Sequence, residues 1–284
     1  MSAVAPSGTL ALGGARTVHR LGFGAMRITG RGVWGPPPDH DAALAVLRRA
    51  VELGTDLIDT ADSYGPHVSE QLIAEALHPY PDELTIATKG GLERSGPGRW
   101  PRNGRPAHLK AACEGSLQRL RVDRIDLYQL HAPDPAVPYA ESVGALKERQ
   151  DDGKIRHVGV SNVSVRQLAE ARSIVDVVSV QNRFNLLDRR SQDVLDLCER
   201  DGLGFLPWFP LAAGDLAAPG EPVDEIARAH RATPGQVALA WLLQRSPVML
   251  PIPGTGSVEH LEENVAAAEL TLAADEMRRL EAAA

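Results

Sequence analysis

The sequence of 284 residues predicts an α/β fold, a (β/α)8 or TIM barrel. Short apolar runs of strand length alternate with longer stretches of helical periodicity, and eight such pairs fit into one chain. Polar residues end several of the runs, as they do at the mouth of a barrel. An open dinucleotide-binding sheet is disfavoured, because residues 22–27 and 254–259 both fail the G-x-G-x-x-G pattern at its last position.

An N-terminal β-hairpin is predicted over residues 8–20, where polarity alternates around Gly13-Gly14. We expect it to cap one end of the barrel. The apolar runs after it have the composition of strands that are buried on both faces. The strand candidates are residues 21–26, 56–60, 84–89, 125–131, 155–161, 177–182, 204–208 and 248–252.

Helices are predicted between these strands from apolar periodicity and end signals. The first begins with Asp41 as a cap and stops at Gly54, and Pro234 suits the first turn of a later helix. The candidates are residues 41–53, 69–77, 107–120, 139–152, 165–174, 190–200, 223–230, 234–244 and 258–268, with an extra terminal helix over 273–283. The longest irregular segment, 91–106, follows a strand candidate and should lie over the barrel mouth. We expect residues 1–284 to form a single domain.

Composition narrows the class of protein. A hydrophobic fraction of 43% with 24% charged residues is typical of a soluble globular protein. A net charge of −7 argues against a nucleic-acid or anionic-membrane partner. The sequence shows no signal peptide and no apolar run long enough to span a bilayer, so we expect a cytoplasmic monomer that acts on a small molecule. Cys113 and Cys198 lie in amphipathic helical patterns and are expected to be buried hydrophobes.

Four polar residues are the candidate catalytic groups. Asp59, Lys89 and His131 each end a strand candidate, and Tyr64 lies in the loop after Asp59. Each alone has an ordinary structural explanation, such as a turn cap or a packing aromatic, but their joint occurrence at successive strand ends favours a site. A phenol has a pKa near ~10, and a neighbouring ammonium should lower it. A carboxylate would hold that ammonium, and an imidazole could bind a substrate oxygen. Together they suit proton transfer.

Short motifs occur in order along nearly the whole chain. They are DTADSYG at 59–65, ATK at 87–89, LH at 130–131 with DP at 134–135, GVSN at 159–162, QN at 181–182, IPGT at 252–255 and EN at 263–264. As a set, these motifs resemble the aldo-keto reductase superfamily. Features in residues 35–37, 64–67 and 208–211 resemble the bacterial branch that includes pyridoxal reductases.

The resemblance implies an NADP(H)-dependent oxidoreductase that reduces aldehydes or ketones to alcohols. Tyr64 would be the general acid, Lys89 its pKa partner, Asp59 the counter-ion of Lys89, and His131 the group that orients the carbonyl. Pyridoxal or another aromatic aldehyde is a candidate substrate, and Trp34, His67 and Trp100 are candidate pocket walls. No metal is implied. The implied cofactor contacts are Ser161, Asn162, Gln181, Trp208, Phe209, Leu211, Gly254, Thr255, Gly256, Ser257, His260, Glu263 and Asn264.

One departure from the family concerns the adenosine 2′-phosphate. Many members carry a Lys or Arg after Ile-Pro-Gly, whereas this chain has Thr255, Gly256 and Ser257, with His260 where an Arg is common. NADPH is the expected cofactor and NADH is possible, with the phosphate held by hydroxyls and by N–H groups at a helix start. Two alternatives are a Schiff-base lyase that uses Lys89 and a non-catalytic NADPH-binding redox sensor.

Overall fold

The computed structural model describes residues 2–14, 16–211 and 222–282. Within them, seven parallel strands form one sheet in which each strand pairs with the next along the chain. Two further strands, Thr9–Leu12 (β1) and Arg16–His19 (β2), form the antiparallel hairpin. The parallel strands are Phe23–Gly24 (β3), Leu57–Asp59 (β4), Thr85–Gly90 (β5), Ile125–Leu130 (β6), Ile155–Ser161 (β7), Val177–Arg183 (β8) and Gly204–Trp208 (β9).

The eighth position of the barrel is filled by an irregular segment. Residues 248–252, predicted as a strand, make only a single parallel bridge to β9. The amide of Leu250 donates to the Phe205 carbonyl at 2.8 Å, and the amide of Gly22 donates to the Pro251 carbonyl at 3.0 Å, so the segment joins β9 to β3. Pro251 has no N–H, and a second proline follows two residues later, so a complete ladder cannot form. The barrel prediction is confirmed, with this strand corrected.

The helices surround the sheet, and most of them begin and end within one or two residues of the predicted bounds. Asp39, not Asp41, caps the first helix by accepting from the amide of Ala42. Pro234 lies in the first turn of α8 as predicted, after a capping box at Thr233. The helices are His40–Glu52 (α1), Val68–Leu77 (α2), Pro106–Leu120 (α3), Tyr139–Asp151 (α4), Val165–Arg172 (α5), Gln192–Asp201 (α6), Pro222–His230 (α7), Pro234–Arg245 (α8), Val258–Ala266 (α9) and Ala274–Ala282 (α10).

The hairpin closes the amino-terminal end of the barrel. Its buried side chains, Leu12 and Val18, join the apolar cluster that fills the barrel interior. At its turn, Gly13 has a φ of 57°, and a Cβ there would stand 2.7 Å from the ring of His157. Glycine is therefore required where the hairpin meets the barrel. With this end covered, the carboxyl ends of the strands form the open end.

The two cysteines are inert thiols in this fold. Burial raises the pKa of Cys113 and of Cys198 to about 12, so neither forms a thiolate near neutral pH. Across the described chain, no cluster of three or more His, Cys, Asp or Glu could hold a metal ion. No helix in the same residues is both long and apolar enough to cross a membrane.

Candidate active site

A cleft of about 980 Å³ opens at the carboxyl ends of the strands. The parallel register brings the ends of neighbouring strands to one edge, so loops that are distant in sequence meet around the cleft. Of the predicted site residues, the following line it: Asp59, Tyr64, Trp100, His131, Ser161, Asn162, Gln181, Trp208, Phe209, Leu211, Gly254, Thr255, Gly256 and His260.

Lys89 lies at the floor of the cleft, fully buried behind the lining residues. Its Nζ donates to Oδ1 of Asp59 at 2.5 Å, to the carbonyl of Thr60 at 2.8 Å and to the hydroxyl of Tyr64 at 3.4 Å. All three ammonium donors are used. Because no part of this side chain is exposed to the cleft, the ammonium is poorly placed to attack a carbonyl carbon.

The carboxylate of Asp59 is held from its other side by two glutamines. Its Oδ2 accepts from Nε2 of Gln181 at 2.8 Å and from Nε2 of Gln129 at 3.1 Å. Gln129 was missed by sequence reasoning, although an amide inside the apolar run of β6 was the available signal. Three donors converge on this one buried carboxylate and fix its position against Lys89.

Burial and charge act in opposite directions on the pKa values of Lys89 and Tyr64. Burial lowers the pKa of Lys89, but the charge of Asp59 and the contact with Tyr64 outweigh it, so the net pKa is raised. Burial raises the pKa of Tyr64, and the ammonium of Lys89 only partly opposes that rise. Lys89 thus acts on the Tyr64 pKa in the expected direction, but the net pKa lies above its usual value, because the loss of solvent is the larger effect.

His131 lies beside Tyr64, with ring centroids 5.9 Å apart in an edge-on arrangement. Its Nδ1 is 3.4 Å from the hydroxyl of Ser63. Burial, together with the charge of Lys89, lowers the pKa of His131 well below its usual value. The imidazole is therefore neutral near neutral pH and can donate one N–H into the cleft.

A second group of polar side chains lines the wall after β7, β8 and β9. Asn162 has a left-handed backbone (φ 58°), and its Nδ2 donates to the carbonyl of His131 at 2.9 Å. The indole N–H of Trp208 donates to Oδ1 of Asn162 at 3.0 Å, and the Ser161 hydroxyl donates to the Gln181 carbonyl at 2.6 Å. These bonds fix the side chains around the cleft wall.

The segment that follows residues 248–253 forms the far end of the cleft. The hydroxyls of Thr255 and Ser257 already accept from the amides of Ser257 and His260, at 3.0 and 3.4 Å. A Cβ on Gly256 would meet only the carbonyl of Arg27, at 3.4 Å, so the space above this glycine is open. The loop thus forms a shallow cradle at the start of α9.

Arg27 was missed by sequence reasoning. It follows β3 and is exposed in the cleft, and its side chain lies against Gly254, where an added Cβ would be 3.6 Å from its Cγ. It makes no hydrogen bond or ion pair with any other described residue. Among the described lining residues it is the only Lys or Arg. No motif pointed to it, because only the barrel closure brings residues 27 and 254 together.

Some predicted site residues do not line the cleft. Trp34 is 37% exposed on the rim, and His67 is the N-cap residue of α2 and is exposed as well. Neither of these predicted pocket walls lines the cleft, whereas Val33 and Leu92 do. The remaining predicted residues that lie outside the lining are Ser257, which caps α9, Glu263, which accepts from the Thr233 hydroxyl, and the buried Asn264.

Comparison with known proteins gives consistent matches along the chain. Residues 20–284 match the Aldo/keto reductase family. An uncharacterized oxidoreductase, C215.11c of Schizosaccharomyces pombe, is 50% identical over 275 residues, which cover 97% of this chain and 89% of that protein. Pyridoxine 4-dehydrogenase of Escherichia coli is 44% identical over 275 residues, which cover 94% of this chain and 96% of that protein.

Solved structures match over a similar extent. The thermostable aldo-keto reductase Tm1743, in complex with the inhibitor epalrestat, has a TM-score of 0.86 at 33% identity, covering 97% of this chain and 99% of that one. An aldo/keto reductase from Klebsiella pneumoniae, in complex with NADP and acetate, has a TM-score of 0.83 at 28% identity, covering 96% of this chain and 94% of that one.

Proposed function

Because this chain belongs to the aldo/keto reductase family, we propose that it reduces aldehydes or ketones to alcohols with NADPH, using Tyr64 as the general acid. One observation carries the proposal. The buried ammonium of Lys89 joins the Asp59 carboxylate to the Tyr64 hydroxyl at the floor of the cleft, beside the neutral imidazole of His131.

The side chains divide the proton chemistry among them. A nicotinamide cofactor held in the cleft would supply the hydride. Tyr64 gives its proton to the carbonyl oxygen as negative charge develops there, and the ammonium of Lys89 stabilises the phenolate that remains. His131 donates a hydrogen bond to the same oxygen and orients it. Asp59 keeps Lys89 charged and fixed. A raised Tyr64 pKa keeps the phenol protonated at neutral pH, as a proton donor requires.

The side chains that line the cleft fit a nicotinamide nucleotide. The side-chain oxygen of Gln181 has no partner among the described residues and can accept from a carboxamide, while Asn162 and Ser161 stand beside it. The indole of Trp208 is anchored at its N–H, which leaves a ring face for stacking. The cradle at Gly256 can receive a phosphate. NADP is bound by the Klebsiella pneumoniae relative, which supports the same class of cofactor here.

NADPH is proposed over NADH by a modest margin. N–H groups at the start of α9 and its dipole favour a phosphate, but each such contribution is about 0.3–1 kcal/mol at an exposed site. Arg27 adds an unpaired cation next to Gly254, which the sequence motif lacks. A charge-assisted bond from Arg27 would strengthen phosphate binding directly beside this loop.

A flat, aromatic carbonyl compound is the proposed class of substrate. Next to Tyr64 and His131 the cleft is lined by Val33, Leu92 and Trp100. Pyridoxal is the first candidate, because the Escherichia coli relative is named a pyridoxine 4-dehydrogenase.

The test is a carbonyl panel that includes pyridoxal, read as NADPH consumption, with NADH in parallel. We expect an aromatic aldehyde to be reduced fastest. NADPH binding without reduction of any carbonyl would instead favour a redox sensor. A covalent adduct at Lys89 after borohydride treatment with substrate would favour the Schiff-base lyase.

A further inference from the structure

Arg94 is half-buried in the loop between β5 and α3 and uses every donor of its guanidinium on backbone carbonyls. Nε donates to the carbonyl of Arg99 at 3.1 Å, and one Nη2 bond reaches the carbonyl of Gly96 at 3.3 Å, both in its own loop. The remaining three N–H groups reach two other loops. An arginine has five N–H donors, so none is left over.

Two of these bonds reach the loop after β3. Nη2 donates to the carbonyl of Gly32 at 2.9 Å, and Nη1 donates to the carbonyl of Val33 at 2.6 Å. Val33 has a φ of 55°, a left-handed conformation that a β-branched residue rarely adopts. Such strain persists only where the surroundings hold it. The amide of Gly65 adds a second bond to the same Val33 carbonyl, at 3.3 Å.

The fifth bond reaches the loop that carries the proposed general acid. Nη1 of Arg94 donates to the carbonyl of Ser63 at 3.1 Å, directly before Tyr64. The guanidinium carbon also lies 3.6 Å from the centre of the Trp100 ring, which meets the Tyr64 ring edge-on at 6.3 Å. Arg94 itself does not line the cleft, whereas Val33, Tyr64 and Trp100 do.

We propose that Arg94 is a positioning residue that joins these three loops into one rigid wall of the substrate pocket and thereby sets its preference for flat carbonyl compounds. The selectivity rests on the proposed reductase function, whereas the joining of the loops stands on the contacts alone. Since the guanidinium has no free donor, it offers no contact to an anionic substrate. Its effect passes through Val33, Tyr64 and Trp100.

The experiment compares Arg94→Met and Arg94→Lys with Arg99→Met as a matched control. Arg99 lies in the same loop, is exposed, and makes no side-chain hydrogen bond or ion pair with other described residues. The first measurement is hydrogen exchange without ligands. We expect Arg94→Met to speed exchange in peptides covering 30–36 and 63–68, outside the mutated loop, and Arg99→Met to leave both unchanged.

The second measurement is kcat and KM for benzaldehyde and propanal at saturating NADPH, with NADPH affinity followed by fluorescence quenching. We expect Arg94→Met to lower kcat/KM for benzaldehyde by roughly 10²-fold, the scale of a misplacement near 1 Å, and to affect propanal much less. NADPH affinity should stay within about twofold. Arg94→Lys should also lower kcat/KM for benzaldehyde, but less than Arg94→Met does, since one ammonium cannot reach all five carbonyls.

Several results would overturn the proposal. Unchanged exchange in both distant peptides would show that Arg94 does not join the loops, and equal losses for the two aldehydes would remove its role in selectivity. A selective loss of 4-carboxybenzaldehyde reduction would mean that Arg94 contacts substrate directly. If the wild-type protein reduces neither aldehyde, the proposed function fails and the selectivity fails with it. The exchange data then decide separately whether Arg94 joins the loops.

Discussion

Replacing Tyr64 with phenylalanine separates catalysis from folding at this site. The substitution removes one hydroxyl, whose only described hydrogen bond is the 3.4 Å contact from Lys89. That distance is at the long limit of a hydrogen bond, and Lys89 keeps its bonds to Asp59 and Thr60. We therefore expect the free energy of unfolding to change by about 1 kcal/mol or less.

The catalytic effect should be far larger. Loss of one general acid costs roughly 10²–10⁴-fold, which corresponds to about 2.7–5.4 kcal/mol of transition-state stabilisation. The assay is kcat for an aromatic aldehyde at saturating NADPH, with thermal unfolding and NADPH affinity measured on the same samples. NADPH affinity should be nearly unchanged, because the hydroxyl acts on the developing alkoxide and not on the dinucleotide.

Tyr128→Phe is the matched control for the same chemical change. Tyr128 on β6 is fully buried, and its hydroxyl has no hydrogen-bond partner among the described residues. Removing an unsatisfied hydroxyl should leave stability equal or slightly higher, with full activity. If Tyr64→Phe keeps more than about a tenth of the wild-type kcat, or if Tyr128→Phe loses as much, then Tyr64 is not the general acid.

The remaining predictions concern the ion pair and the cofactor. Lys89→Met should disable reduction and shift the alkaline limb of alcohol oxidation to higher pH, because the ammonium no longer opposes the raised Tyr64 pKa; an unchanged limb would exclude Lys89 as the perturbing group. Asp59→Asn should lower the free energy of unfolding by about 3–5 kcal/mol at about pH 7, since it leaves a buried ammonium unpaired. Without Asp59, burial lowers the pKa of Lys89, so the folded state binds fewer protons than the unfolded state. The loss in free energy of unfolding relative to the wild type, measured by urea titration, should therefore shrink as pH rises. A loss that is independent of pH would contradict this. Gly256→Arg should raise the ratio of NADPH affinity to NADH affinity and Arg27→Gln should lower it, with Gly256→Gln as the uncharged control. An unchanged ratio in Gly256→Arg would show that the 2′-phosphate does not bind beside Gly256.

Predictions from local pattern were accurate where the pattern itself decides the structure. Apolar runs and end signals located the strands and helices, because secondary structure depends on residues that are close in sequence. There are two exceptions. Residues 248–252 contain a proline that has no N–H for a ladder. Residues 25–26, predicted as the end of a strand, lie in a short 3-10 helix after β3. Sequence also placed Asp59, Lys89 and His131 near one another, since the carboxyl ends of parallel strands share one edge.

What needed the tertiary structure was the direction and burial of side chains. Trp34 and His67 were expected in the pocket but do not line it, and Arg27 enters the cleft only because β3 lies beside the closing segment. The direction of the Tyr64 pKa shift also needed the tertiary structure, because burial outweighs the charge of Lys89. Solvent exclusion depends on every loop around the mouth, and no single motif contains that information.

The sequence by itself therefore determined the barrel, the order of its elements and the residue types that meet at its open end. Only the tertiary structure decided which groups are buried, which are free to bind, and that Arg94 joins three loops through backbone carbonyls. The physical reason is that periodicity records local preference, whereas desolvation and hydrogen bonds to backbone carbonyls depend on parts of the chain that only folding brings together.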